Sequence, residues 1–529
     1  MKLLYNARIY TLDPQRPLAK AMLIDRGRIV ALGEFSDLRS DFGWRAAGED
    51  LDGQVVIPGL VDAHMHLECY ALGLQKVDCE TPTRQECLRR VAERARNTPP
   101  DQWVLGHGWN QNDWPEGFGD ASDLDAIAFD HPVYLTAKSL HAGWANTLAL
   151  RLAGLGPNTP DPAGGRLGRH ADGSLDGIVY ESAMDLISRA IPEATDEQAL
   201  QAIRGAQQAL WSMGLTGVHD FDQRRCFAAL QTLHQQGELG LRVIKSLPLE
   251  SLGLAVELGL HSGFGDDFLR TGSVKAFADG ALGPHTAAMF QPYQGEIGNT
   301  GMLFMDAEEM FEHGRRAVEN GLSMAVHAIG DRANHEMLNG YVQLRLFEQK
   351  RFPGRAPLRH RIEHVQLLHP DDGARLAELG VIASMQPIHA TSDMLAADRF
   401  WGERAKFSYA WRTQLQAGAV LAFGSDAPVE SPNPFWGLHA AVRRRRVDGT
   451  PGPQGWYPEQ RLTVEEALQG FTQGAAYAAG MEDRLGRLAP GYLADLLALE
   501  TDPFTCEAEQ LRNIRPSGTM VDGDWVYRR

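Results

Sequence analysis

The sequence is short of cysteine, of lysine and of long apolar runs. Its five cysteines (Cys69, Cys79, Cys87, Cys226 and Cys506) are scattered over 529 residues and form no C-x-x-C pair. This argues against a disulfide framework or a thiolate zinc site, and the expected location is a reducing cytoplasm. Cys69 is read as a packing residue. No stretch approaches the ~18 uninterrupted apolar residues of a membrane span. The opening MKLLYNARIYTLDP has neither the apolar core nor the cleavage site of a signal peptide and reads as a strand. Positive charge is also in deficit: 51 Lys+Arg against 68 Asp+Glu give a formal charge of −17, which repels phosphate backbones and disfavours a nucleic-acid partner. The one basic run, Arg443–Arg446, is read as a solvated helix face. There is no G-x-x-x-x-G-K-[ST] loop, no G-x-G-x-x-G between strand and helix, and no G-x-S-x-G elbow. Nucleotide cofactors and serine-hydrolase chemistry are therefore not indicated.

What is present is globular: 43% hydrophobic and 22% charged residues. Eight β-type runs alternate with helical patterns, at residues 55–66, 214–221, 241–248, 272–279, 322–328, 359–365, 381–387 and 419–426. Residues 307–321 carry helical apolar spacing; 369–380 do too, with an acidic first turn and a terminal Gly. Eight such units favour an α/β fold closed as a (β/α)8 barrel, with an open doubly wound sheet as the alternative. Further β-rich runs at both ends (3–12, 21–33, 494–500, 518–529) are too few for separate cores. They suggest one composite β-sandwich built from residues 1–56 and 487–529, with the barrel over 57–486. Residues 68–213 are far too long for an ordinary βα loop. They contain strand-like 104–110 and 132–139, helix-like 144–155 and a hairpin at 163–170. Because this insertion leaves the C-terminal end of a barrel strand, it is expected over the barrel mouth.

Candidate chemistry gathers at strand ends. In VDAHMHLE, His64 and His66 are alternate residues of a strand, so both imidazoles share a face, as metal ligands such as those of zinc require. His327 (LSMAVHAIGD) and His364 (RIEHVQ) also end apolar runs, and Asp426 follows another (AVLAFGSD). A barrel gathers its strand tips around one mouth, so residues far apart in sequence can serve one site. Only 8 of the 51 basic residues are Lys, yet Lys245 and Lys275 lie within apolar strands. Burial lowers an ammonium pKa and frees an amine that can take up carbon dioxide as a carbamate. The alternative for Lys275 is pairing with a nearby carboxylate such as Asp279. Glu363, next to His364, is expected on the opposite face and is read as structural.

PGLVDAHMHLE, VKAFADGALG, HAIGD, RIEHVQ, GSDAPVE and the tail LGRLAPGYLADLLALETDPF resemble, in order and over essentially the whole chain, the amidohydrolase superfamily. The resemblance is to its amidohydrolase-3 branch, which includes N-substituted formamide deformylase-like proteins. It implies a metal-dependent hydrolase on a (β/α)8 barrel with a composite β-sandwich. Position by position, it implies His64 and His66 as one metal pair and His327 and His364 as the second. Lys275 becomes an N6-carboxylated bridging ligand, Asp426 the catalytic aspartate and metal ligand, and Lys245 has no counterpart. One or two divalent ions, zinc first among them, are implied, and a homodimer is the family's habit.

The expected reaction is hydrolysis of a carbon–nitrogen bond in a small amide, formamide or cyclic amide. The metal activates water, and Asp426 takes its proton and returns it to the leaving nitrogen. Hydrolysis of an ester, lactone or phosphoester, or a non-catalytic metal-binding or regulatory role, are the alternatives. For substrate contacts the expected residues are Trp109, His141, His285 and His389.

Overall fold

A computed structural model describes every residue except Trp44, Asn112, Asp113, Ser139, Leu140 and His141. Eight parallel strands follow one another round a single sheet: β1 (Leu60–Met65), β2 (Leu215–Asp220), β3 (Arg242–Pro248), β4 (Leu269–Phe277), β5 (Met324–Ala328), β6 (Arg361–His364), β7 (Ile382–Met385) and β8 (Leu421–Phe423). The ends of this sheet meet beyond β8, where Met65 bridges Ala427 in parallel. There the Asp426 N–H donates to the His64 carbonyl and the His66 N–H to the Ala427 carbonyl, both at 2.8 Å. The α/β barrel expected from the eight runs is the observed fold, and the open-sheet alternative falls.

These strands read as near-continuous apolar runs because both of their faces are covered. The intervening helices begin where the sequence offers caps. Asp306 accepts the N–H groups of Glu308 and Glu309 while Glu309 reaches back to the Asp306 N–H, which starts α1 (Ala307–Glu319). Helix α2 (Pro387–Trp401) follows β7 with Pro at its first position, where a missing N–H costs nothing.

One β-run in the sequence is two strands in the molecule. Residues 55–66 divide at Gly59, where a Cβ would fall 2.5 Å from Thr216 Oγ1. Val55–Pro58 belongs to a six-stranded sheet whose order runs Asp524–Arg528, Pro516–Val521, Leu496–Leu499, Val55–Pro58, Arg8–Tyr10, Leu18–Ala19, so N- and C-terminal segments share one sheet. A four-stranded sheet (Arg28–Gly33, Ala21–Asp25, Lys2–Tyr5, Ala47–Asp50) lies beside it in sequence and shares its core of Leu4, Ile9, Met22, Val56, Leu496 and Met520. The buried pair Arg242–Asp495, at 2.5 and 2.8 Å, ties β3 to this terminal assembly.

The basic run is not a helix face. Helix α3 (Pro434–Arg443) ends within it, and Arg444, at φ 47°, is fully buried against Trp411 and Trp456, while Arg443 and Arg445 pair with Glu509.

Ala71–Ala202 forms a compact unit of its own around a six-stranded sheet (Gly165–Arg169, Leu175–Glu181, Ala142–Ala145, Val133–Ala137, Val104–Trp109, Val77–Asp78). The run 144–155 begins as a strand, Ala142–Ala145. Its helix, Thr147–Leu152, starts only after Asn146, whose side chain caps the Ala149 N–H. The glycine-rich run at 163–170 pairs with Leu175–Glu181 as an antiparallel hairpin.

Candidate metal centre

The tips of β1, β5, β6 and the turn after β8 bring His64, His66, His327, His364 and Asp426 to one end of the barrel. The candidate ligand atoms of His64, His364 and Asp426 lie within 4.8 Å of one another. The His64 ring is centred 5.0 Å from that of His364, which lies 4.6 Å from that of His327. Asp426 Oδ1 sits 3.4 Å from His64 Nε2 and 3.5 Å from His66 Nε2. Those separations exceed a hydrogen bond. They match the ~3.3 Å expected between donors held about 2.05 Å from one ion at a tetrahedral angle.

Each imidazole is turned by a partner on its far side. His64 Nδ1 donates to Glu363 Oε2 at 2.6 Å and His66 Nδ1 to Asp222 Oδ1 at 3.1 Å, leaving each Nε2 lone pair for the mouth. His364 Nδ1 donates to Gln386 Oε1 at 2.7 Å. His327 uses the other nitrogen, Nε2, on the Gly280 carbonyl at 3.0 Å, which leaves Nδ1 free. Such partners fix the tautomer a metal ligand needs. Burial, with Lys275 or a neighbouring imidazole adding to it, holds His64 and His364 well below the ordinary imidazole pKa and His327 down at about 3. All three are therefore neutral, as ligands must be. His66 differs: burial opposes its imidazolium, but Asp222 and then Asp426 outweigh burial and raise its pKa. Burial likewise raises that of Asp426. A set of neutral imidazoles and one carboxylate fits a zinc-like cation.

Lys275 reaches the same neighbourhood, since Phe221 beneath its amine stacks on the His64 ring. It makes no ion pair among the described residues; its Nζ lies over Phe221 and Phe277, 4.8 and 4.9 Å from their centroids. Burial brings its pKa down to about 8. Asp279, the carboxylate weighed as its partner, instead accepts the N–H groups of Ala288, Ile329 and Gly330. Lys245 is of the other kind, pairing with Asp220 at 2.8 Å and donating to the Asp222 carbonyl. That ammonium also accounts for the nearby Asp220, Asp222 and Cys226 cluster, which needs no cation. Cys69 donates to Asp222 Oδ1 at 3.4 Å, and burial and Asp222 push its thiol pKa up to about 12, away from the thiolate a nucleophile needs.

Glu363 departs from the expectation that it lies on the face opposite His364, since it bonds His64 Nδ1 behind the site. His364 has φ 75° and Val365 φ 45°, so the tip of β6 breaks the two-residue alternation. Both Glu363 and His364 then address the interior. Burial works against the Glu363 carboxylate, but Arg361 and Lys275 hold its pKa below the ordinary value. Arg361 pairs with Glu363 and also reaches the Ala63 carbonyl, Ser384 Oγ and His219 Nδ1 at 2.5–2.9 Å. Glu363, Asp222, Gln386 and Asp62 are the supporting residues that sequence reasoning missed. Asp62 alone left a signal, standing two and four residues before His64 and His66 on the same face.

The expected substrate contacts fare unevenly. His389, on α2, stacks parallel to His364, and its Nε2 lies 3.8 Å from Asp426 Oδ2 with no hydrogen-bond partner among the described residues. His285 is held within its own loop: its Nδ1 meets Glu296 at 2.5 Å and its ring packs on Tyr293 and Phe400, which pins the loop after β4. Trp109 is a core residue, 1% exposed, donating to the Leu135 carbonyl and packed with Trp114 and Trp144. Its large apolar area is used to hold the insertion's own sheet together. His141 lies outside the described residues.

Comparison with known proteins agrees with this architecture. The Amidohydro_3 model of the amidohydrolase family matches residues 47–527. The chain is 32% identical to YtcJ of Bacillus subtilis (strain 168), with 98% of each chain covered. It is 30% identical to the N-substituted formamide deformylase of Arthrobacter pascens, covering 100% of this chain and 98% of that one. The crystal structure of an uncharacterized metal-dependent hydrolase from Pyrococcus furiosus superposes with a TM-score of 0.77 at 31% identity, covering 95% of this chain and 100% of that one. The chain belongs to the amidohydrolase family, in its amidohydrolase-3 branch, and is thereby a hydrolase of a metal-dependent superfamily. Among the described residues, no helix is long and apolar enough to cross a membrane.

Proposed function

We propose that the chain hydrolyses a carbon–nitrogen bond of a small molecule (an amide, formamide or cyclic amide), with His64, His66, Lys275, His327, His364 and Asp426 as the metal-binding set. The observation that carries this reading is Asp426: its Oδ1 stands 3.4–3.5 Å from two imidazole Nε2 atoms while its Oδ2 faces His389. These residues would hold a divalent cation, zinc by the donor set, which would supply Lewis acidity and ease the ionisation of water at neutral pH. Asp426 then accepts the proton released during attack on the carbonyl carbon and delivers it to the departing nitrogen. Glu363 and Asp222 keep His64 and His66 in one tautomer throughout. His389 is placed to hold a polar substrate group beside Asp426.

Lys275 is proposed to be N6-carboxylated. Its amine is buried, makes no ion pair among the described residues and has its pKa lowered to about 8, so a neutral fraction is available at working pH to take up carbon dioxide. The carbamate would add an anion to the donor set. The resemblance to a named N-substituted formamide deformylase places formamides first in a substrate panel. The test is turnover of formamides, other amides, cyclic amides, esters and phosphotriesters, with zinc and after chelation. Intact-mass measurement on wild type and Lys275→Ala reads the carbamate. Preference for esters or phosphotriesters over every carbon–nitrogen substrate would overturn the reading.

A further inference from the structure

The strands that carry the histidine pair and Asp426 meet at the seam where the barrel closes, and ordinary ladder bonds are few there. Asp426 has φ 62°, so the chain after β8 leaves extended geometry as the site begins. Asp62, 1% exposed on β1, spans the gap. Its Oδ1 accepts two backbone N–H groups, that of His64 at 3.1 Å and that of Ser425 at 3.0 Å. Its Oδ2 accepts the Ser425 hydroxyl at 2.5 Å. Ser425 Oγ in turn accepts the Ala427 N–H at 3.0 Å. Gly424 permits this approach, since a Cβ there would lie 2.5 Å from the His64 nitrogen and 2.6 Å from Asp62 Oδ1.

We propose that Asp62 and Ser425 are positioning residues for the hydrolytic reaction: a clamp across the β1–β8 seam that fixes the distance of Asp426 from His64 and His66. One carboxylate oxygen bonds the backbone of both strands, so neither can shift along the other without breaking a buried hydrogen bond. A metal site tolerates little such movement, because its donors must stay within about 0.5 Å of productive geometry. The inference rests on the functional reading above, but part of its test does not.

The experiment compares Ser425→Ala, Ser425→Thr and, as a control, Thr519→Ala, whose buried hydroxyl donates to the Trp211 carbonyl at 2.7 Å in the terminal sheet. Zinc affinity of metal-stripped protein is read by competition with a chromogenic chelator, and kcat and KM on the best substrate of the panel. Ser425→Ala is expected to weaken zinc binding and lower kcat, each by about 10–100-fold, the range for losing support behind metal ligands. KM should stay within about twofold, since no substrate contact is removed. Ser425→Thr restores the hydroxyl and most of both losses. Thr519→Ala lowers thermal stability without moving zinc affinity or kcat. Wild-type zinc affinity and kcat in Ser425→Ala would overturn the clamp, as would equal losses in Thr519→Ala. Should Ser425→Ala fail to fold, Asp62→Asn carries the same comparison. A wild-type protein that binds zinc but hydrolyses nothing defeats the functional reading, while the zinc-affinity ratio still decides the clamp.

Discussion

Two lysines on neighbouring barrel strands show how differently one interior can treat the same side chain. Lys245, on β3, is paired with Asp220 at 2.8 Å, and that carboxylate outweighs burial and raises its pKa. Lys275, on β4, has aromatic rings beneath its amine and no ion pair among the described residues, and burial lowers its pKa to about 8. Burial alone does not make an amine reactive. A partner converts it into scaffold, and the absence of one leaves it available for chemistry. The aspartates divide in the same way. Asp220 accepts the Leu67 N–H and pairs with Lys245, whereas Asp426 faces imidazole nitrogens beyond hydrogen-bonding distance.

The sharpest way to break this division is to exchange its aspartates. Asp426→Asn is expected to lower turnover by about 10²–10⁴-fold while folding and most of the metal are retained, read by steady-state kinetics with elemental analysis. Asp220→Asn, by contrast, should cost stability with the metal retained. If instead it matched Asp426→Asn in lost turnover at unchanged stability, the division would collapse.

The lysines come next. Lys245→Met strands the Asp220 carboxylate in the interior and should destabilise the fold by about 3–5 kcal/mol in urea denaturation. Lys275→Met has no ion pair among the described residues to break and removes the cost of burying an ammonium, so the metal-free variant should unfold above the wild-type midpoint at neutral pH and yet lose turnover and the carbon dioxide adduct.

A smaller effect is expected one layer out from the metal ligands. Glu363→Gln keeps the shape behind His64 but loses the charge, and should weaken metal binding by about 10–100-fold in chelator competition.

The last contrast is one of sign. For metal-free protein, the raised pKa of Lys245 gives stability that is complete below its ordinary 10.5 and lost as pH rises through the higher folded value. The lowered pKa of Lys275 gives a penalty that is complete below about 8 and relieved between about 8 and 10.5. Wild-type stability relative to Lys275→Met should therefore rise over that window, while stability relative to Lys245→Met stays level across it. Parallel pH dependences for the two variants would contradict the contrast.

Much of the fold was legible because parallel strands covered on both faces leave apolar runs, and eight of those runs at βα spacing leave few architectures. His64, His66, His327, His364 and Asp426 could be listed as candidates because each interrupts or ends such a run. What was not legible followed from local departures from regularity. Glu363 was assigned to the wrong face because two-residue alternation holds only while φ stays extended, and His364 sits at φ 75°. The run 55–66 gave no sign of belonging to two sheets, since a strand looks the same whichever neighbour it pairs with. Trp109 and His285 were selected by residue type and by position in the insertion and beside rim glycines, signals that do not show that Trp109 packs in a core and donates to the Leu135 carbonyl or that His285 Nδ1 meets Glu296.

The sequence by itself determined the sheet and its order of chemistry-bearing tips, because periodicity, spacing and residue type act locally along the chain. Only the tertiary structure decided which lysine is paired, which nitrogen each histidine turns inward, and how Asp62 locks the two strands of the seam. Those depend on contacts between residues from 22 to 363 positions apart, set by how the strands pack, and no local pattern encodes them.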